Sequence, residues 1–127
     1  MRILLIAVAG AFGALSRYGL SSYVSNAFGD KFAYGTLAVN TIGCFLIGLI
    51  MHIALTTDMI SEDIRTAVTI GFLGALTTFS TFSYETYKFI EDAAWRLAVL
   101  NISANVILGL AATIVGLAVG RLLAGGA

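Results

Sequence analysis

The chain has 127 residues, of which 59% are hydrophobic and only 11% charged, with a mean hydropathy of +0.96, which excludes an ordinary water-soluble domain. Seven basic residues balance seven acidic ones, so there is no basic surface of the kind that nucleic-acid binding requires. A single cysteine, Cys44, removes intramolecular disulfides and thiolate metal clusters, and a single histidine with no evident Ser/His/Asp set is poor material for an enzyme.

The hydrocarbon core of a bilayer is about 30 Å thick, so a helix rising about 1.5 Å per residue needs roughly 20 mostly apolar residues to cross it. The sequence predicts an all-α integral membrane protein, one domain over residues 1–127 with four spans at about 3–24, 32–55, 66–87 and 97–120. Its opening, Met1-Arg2 and an apolar run, resembles the start of a signal peptide. The run continues past Ser16 and Arg17, however, and is read as a retained helix. A guanidinium at that depth is expensive unless paired, hydrated or snorkelled. Arg17 is therefore either an interfacial anchor or a cation lining the vestibule of an anion pathway, and Gly13, one turn earlier, gives a neighbouring helix room to approach.

In the second span Thr36 and Asn40 lie four residues apart and share a helix face, offering an O–H and an N–H along one stripe; Gly43 and Gly48 follow. An intramembrane amide is either interhelical glue worth about 1 kcal/mol or a donor to a ligand. His52 reads as packing or interfacial. Ser61 with Glu62 and Asp63 resembles a helix N-terminal turn ahead of the third span, where acidic groups complement the dipole.

The third span carries GFLGALTTFSTFS at residues 71–83, with two glycines, three threonines and two serines. Glycine and threonine disfavour a regular helix, and irregular backbone at membrane depth survives only where protein buries it or a cavity is lined by it. No proline occurs, so a break must come from these residues. Carbonyls freed at a break can coordinate Na+, and nearby hydroxyls can donate to an anion; the alternative is an intact helix packed through small residues. Phe79 and Phe82 share a face flanked by Ser80, Thr81 and Ser83. They are either core or a pair of positive ring edges suited to a poorly solvated anion. Glu85 follows toward the end of that helix, either an exposed terminal charge or a partner for a hydroxyl or amide track. In the fourth span Asn101 and Asn105 repeat the i, i+4 device, behind an interfacial or packing Trp95.

The connections at residues 25–31, 56–65 and 88–96 are too short to hold a soluble domain. Cytoplasmic loops normally carry an excess of Lys and Arg. Here Arg2, Arg65 and Arg121 fall on one side and Lys31, Lys88 and Arg96 on the other, a tie that Arg17, inside the first helix toward the second side, hardly breaks. That tie suggests a chain able to insert in both orientations and to pair antiparallel, although a weakly biased monomer or parallel oligomer fits the same count. Four helices enclose little interior of their own, which favours a symmetric dimer.

Taken together, the run GFLGALTTFSTFS, the earlier GALSR and the GTLAVN segment ending at Asn40 closely resemble the bacterial Fluc fluoride channels, also called the CrcB family, over essentially the whole chain. The resemblance implies a fluoride-selective passive channel in the bacterial inner membrane. It implies an antiparallel, dual-topology homodimer with two pores, a break in the third helix, and a structural Na+, not transported, at the dimer centre. By the matching motifs, backbone carbonyls of Gly74 and Thr77 would hold the Na+. Phe79 and Phe82 would face the ion path and Asn40 would line the pore, with Thr36, Thr81, Ser83 and Glu85 along or near the polar track. Arg17, with Gly13, would be the vestibule or structural arginine of the GxxxR motif. Asn101 and Asn105 are the fourth-helix candidates by periodicity. Ala75 stands where many relatives have a second glycine.

Besides membrane lipid and a second copy of itself, the expected partner is the fluoride ion. Two rivals come from other classes. A small dual-topology multidrug exporter needs an embedded carboxylate early in its bundle, where this chain offers Arg17. A non-transporting assembly subunit would use its polar residues only to glue helices.

Overall fold

The computed structural model describes residues 1–125, and these form four long apolar helical rods, each long enough to cross a bilayer. Helix α1 (Arg2–Phe28) stops at Gly29, whose φ of 86° suits glycine and whose N–H returns to the Ser25 carbonyl at 2.8 Å. Helix α2 (Tyr34–Thr56) ends in two threonines whose hydroxyls donate back to the His52 and Ile53 carbonyls. The third rod (Glu62–Glu91) is composite. It opens with α3 (Glu62–Thr66), capped by Ser61 accepting from the Ile64 N–H, and its Glu62 and Asp63 receive Arg2 from the start of α1. A π-helical stretch, Ala67–Leu73, and the short turn α4 (Gly74–Leu76) follow. Thr77 (φ −81°, ψ 158°) and Thr78 (φ −150°, ψ 115°) then run extended before α5 (Phe79–Glu91) begins. After a turn at Ala93, helix α6 (Trp95–Leu123) completes the bundle.

The expected break therefore sits at Thr77-Thr78, and the π-helical stretch ahead of it was not part of the expectation. α5 also continues past Glu85 to Glu91, so Glu85 lies within a helix rather than at its end. The other helices run past the expected spans by a turn or less, except that α2 starts slightly later.

Water does not drive these helices together, because lipid is as apolar as their side chains; close packing at small residues does. α2 and α6 pack along most of their lengths. A Cβ at Gly48 would overlap the Thr113 carbonyl, and one at Gly116 the Phe45 carbonyl. Gly109 faces the Cys44 thiol and Gly120 faces His52, which assigns that histidine to packing. α1 lies against the π-helical stretch and α4. There Gly13, the one buried residue of α1, abuts the Phe72 carbonyl and Ala75. Val39, Leu73 and Leu76 form the buried apolar centre, with Leu20, Leu46 and Phe72 packed around it. Phe12, Leu15, Ile107, Leu110 and Ile114 point outward, as lipid-facing residues do.

Candidate functional site

The helix break organises the polar side chains. Leaving α4, Thr77 donates its N–H and its hydroxyl to the Leu73 carbonyl, both at 3.0 Å, closing the first half of the rod. Thr78 starts the second half as the N-cap of α5, its hydroxyl accepting the Thr81 N–H at 3.1 Å and donating to the Thr81 hydroxyl at 2.9 Å. The break strands the Thr78 peptide, and Asn40 of α2 takes up both ends of that residue. Its Oδ1 accepts the Thr78 N–H at 2.8 Å and its Nδ2 donates to the Thr78 carbonyl at 3.2 Å. Gly43, one turn along α2, has no side chain and lets the Thr77 methyl group in.

Two cavities flank this point, and Thr78 lines both. The larger, a groove of about 390 Å³, brings together Asn40, Phe79, Phe82, Asn105, Gly74 and Thr77, and it has no charged residue in its lining. Phe79 and Phe82 meet edge to face, centroids 5.5 Å apart at 61°, and Phe79 is 79% exposed. Asn105 presents its Oδ1 to Asn40 Nδ2 at 3.0 Å. The second cavity, about 310 Å³, holds Arg17, Tyr18, Ser21, Thr36 and Thr81. Arg17 is half-buried, and its Nη1 lies 3.4 Å from the Thr77 carbonyl, so its charge is directed at the break. Thr36 is buried and donates to Glu85 Oε1 at 2.7 Å, which makes the Glu85 carboxyl an internal group; its other oxygen is buried without a partner.

The remaining candidates fall elsewhere. Ser83 is exposed and lines neither cavity. Asn101 is fully buried behind Asn105, bonded to the Thr86 hydroxyl, and reaches neither cavity. Gly13 lies under the π-helical stretch as a close-packing point.

The family model described as CrcB-like protein, Camphor Resistance (CrcB), matches residues 4–117. The chain belongs to the CrcB family. A relative from Citrifermentans bemidjiense is 50% identical over 122 residues, covering 96% of this chain and 98% of the relative. One from Geobacter sulfurreducens is 53% identical over 119 residues, covering 94% and 96%, and one from Dehalococcoides mccartyi (strain BAV1) is 46% identical over 121 residues, covering 95% and 93%. Each of the three bears the name fluoride-specific ion channel FluC. CrcB membership and the four apolar helices together make this a multi-pass membrane protein.

Within this CrcB fold, two participants carry no individual sequence signal. Thr78 is one threonine among several, and only its position at the restart of a helix marks it as a cap. Thr86 has the same face as Phe82 and Phe79 but no motif. Cys44, read from sequence only as a lone thiol, lines the groove beside Asn40.

Proposed function

We propose that this chain forms a fluoride-selective passive channel that exports F−, working as an antiparallel homodimer. The observation that carries the reading is the larger groove. It sets a ring pair, two amides and a helix break side by side with no cation in its lining, and relatives at about half identity bear a fluoride-channel name.

Fluoride is small and strongly hydrated, so a pore must replace its water with donors. Hydroxyls, amides and ring edges do so without a deep positive well, which permits release as well as entry. Arg17 at the second cavity raises the local anion concentration without standing in the groove. Thr36 and Thr81 at the second cavity, with Glu85 bonded to Thr36, supply a polar track beside the break, and Ser83 stands outside it. HF enters cells as a neutral acid and dissociates; a negative-inside potential then drives F− outward at about 2.3 kcal/mol per 100 mV.

The donor set at the break also fits Na+. The Thr78 N–H that an unbroken helix would give to the Gly74 carbonyl goes to Asn40 instead, which frees a hard oxygen, while the Thr77 carbonyl accepts a long contact from Arg17 Nη1 at 3.4 Å that the ion would have to displace. Gly74 and Thr77 of two copies would hold the ion. Bound there, Na+ would offset the carbonyl dipoles of two facing breaks and tie the copies together.

The test is efflux from liposomes containing the purified chain, read by fluoride electrode with a chloride control and valinomycin supplying counter-charge. Rapid fluoride release without chloride release is expected. No fluoride release from folded, Na+-containing dimers would overturn the reading.

A further inference from the structure

Asn101 differs from the other intramembrane amides. It is 0% exposed and lines neither cavity, so an ion in the groove is out of its reach. A leucine of similar size would suit an apolar interior better, since a buried amide is costly unless its hydrogen bonds are made. Its bonds are made, and they form a chain whose direction is set at both ends by the backbone.

The chain starts at the Thr78 N–H, which can only donate and therefore faces Asn40 Oδ1, at 2.8 Å. That turns Asn40 Nδ2 toward Asn105, so Asn105 must show it an acceptor, and it does, at 3.0 Å. The Asn105 Nδ2 is thereby turned back to Asn101, whose main-chain carbonyl and Oδ1 accept at 3.0 and 3.2 Å. The Asn101 Nδ2 then faces Thr86 and donates to its hydroxyl at 3.0 Å; the Thr86 hydroxyl in turn donates to the Phe82 carbonyl at 2.8 Å, which can only accept. A donor at the break and an acceptor on the backbone of a groove aromatic thus orient three amides in series.

We propose that Asn101 is a positioning residue of the ion path. Without touching the ion, it fixes the direction of the Asn105 amide and, through it, the Asn40 clamp on the broken helix. This rests on the channel reading above. A residue that only fills space at this position would accept leucine, of similar size, without loss of flux, and an ion-contacting residue would act independently of Asn105.

The first readout is a double-mutant cycle of Asn101→Leu and Asn105→Leu on fluoride efflux, with fluoride-to-chloride selectivity measured alongside. The expected result is a roughly tenfold loss in Asn101→Leu alone and a further change of less than about twofold when it is added to Asn105→Leu. Equal factors in both backgrounds, or no loss in the single variant, overturn the proposal. The second readout needs no flux. The chain has only four asparagines, Asn26, Asn40, Asn101 and Asn105, so 15N-asparagine labelling gives few side-chain amide signals. In Asn101→Leu the Asn105 signal should shift while the Asn26 signal stays; an unshifted Asn105 signal overturns the proposal even if Asn105→Leu has no measurable flux. A wild type that folds but passes no fluoride defeats the channel reading instead, and the spectrum then decides whether Asn101 orients Asn105.

Discussion

A backbone N–H stranded at a helix break inside a membrane has no water to turn to, and at Thr78 the Asn40 side chain takes water's place. Replacing it by leucine removes both contacts to Thr78 and the one to Asn105. Leaving that N–H unpaired alone costs about 1–3 kcal/mol, so Asn40→Leu is expected to lose roughly 3 kcal/mol of stability in detergent unfolding. Wild-type stability in that variant would remove the clamp from the account. The aromatic pair has a different task. Phe79 is mostly exposed, so Phe79→Ile should leave folding intact while lowering fluoride efflux by roughly tenfold or more if the ring edge receives the ion, as should Phe82→Ile. Unchanged efflux in both would exclude the rings from the path. At this scale the sequence was partly legible. Spacing alone placed Thr36 with Asn40 and Phe79 with Phe82 on shared faces, but Asn40 meets Thr78 across 38 positions, which periodicity cannot report. Periodicity likewise set Asn101 and Asn105 on one face, and only the packing of α5 against α6 determines that one reaches the groove while the other is enclosed.

Elements are joined here by backbone approach rather than by interlocking large side chains, and that makes certain glycines intolerant of any side chain. At Gly13 an added methyl group would run into the Phe72 carbonyl and crowd Ala75, both in the rod that carries the break. Gly19, further along α1, has nothing nearby. Gly13→Ala should therefore cost several kcal/mol or prevent folding, whereas Gly19→Ala should be neutral or stabilise by up to about 1 kcal/mol through helix propensity. Thermal unfolding of the two side by side checks this, and equal stability would show that α1 can shift away from the third rod. Apolar run length made the four rods legible, and the Gly/Thr/Ser run marked where one would fail. The π-helical stretch Ala67–Leu73 left no comparable signature: its one glycine, Gly71, serves the close approach of α1, where an added Cβ would meet the Ile6 carbonyl. Ala75 shows the same limit: its effect is felt at Gly13, on another helix.

For the whole molecule, a single chain offers oxygens from only one break and leaves the groove beside it open, so the proposed Na+ site requires a second copy. Exchanging Na+ for a much larger cation should weaken the dimer in detergent, seen as a shift toward monomer by light scattering; a dimer indifferent to the cation would refute the central site. How that second copy is oriented depends on the charge tie. Arg2, Arg65 and Arg121 at one end equal Lys31, Lys88 and Arg96 at the other, so no loop dictates orientation. Asp58 and Met59 are exposed at the first end, and Asn26 and Asp30 at the second. Asp58→Lys with Met59→Lys should drive nearly all chains into one orientation, and Asn26→Lys with Asp30→Lys into the opposite one. An antiparallel channel predicts that each double variant made alone passes little fluoride, roughly a tenth of wild type or less, because few oppositely oriented partners remain. Co-expression should restore the flux, since each supplies the orientation the other lacks. A parallel dimer would behave in the opposite way: each biased variant would conduct as well as wild type when made alone, and mixing the two would add nothing.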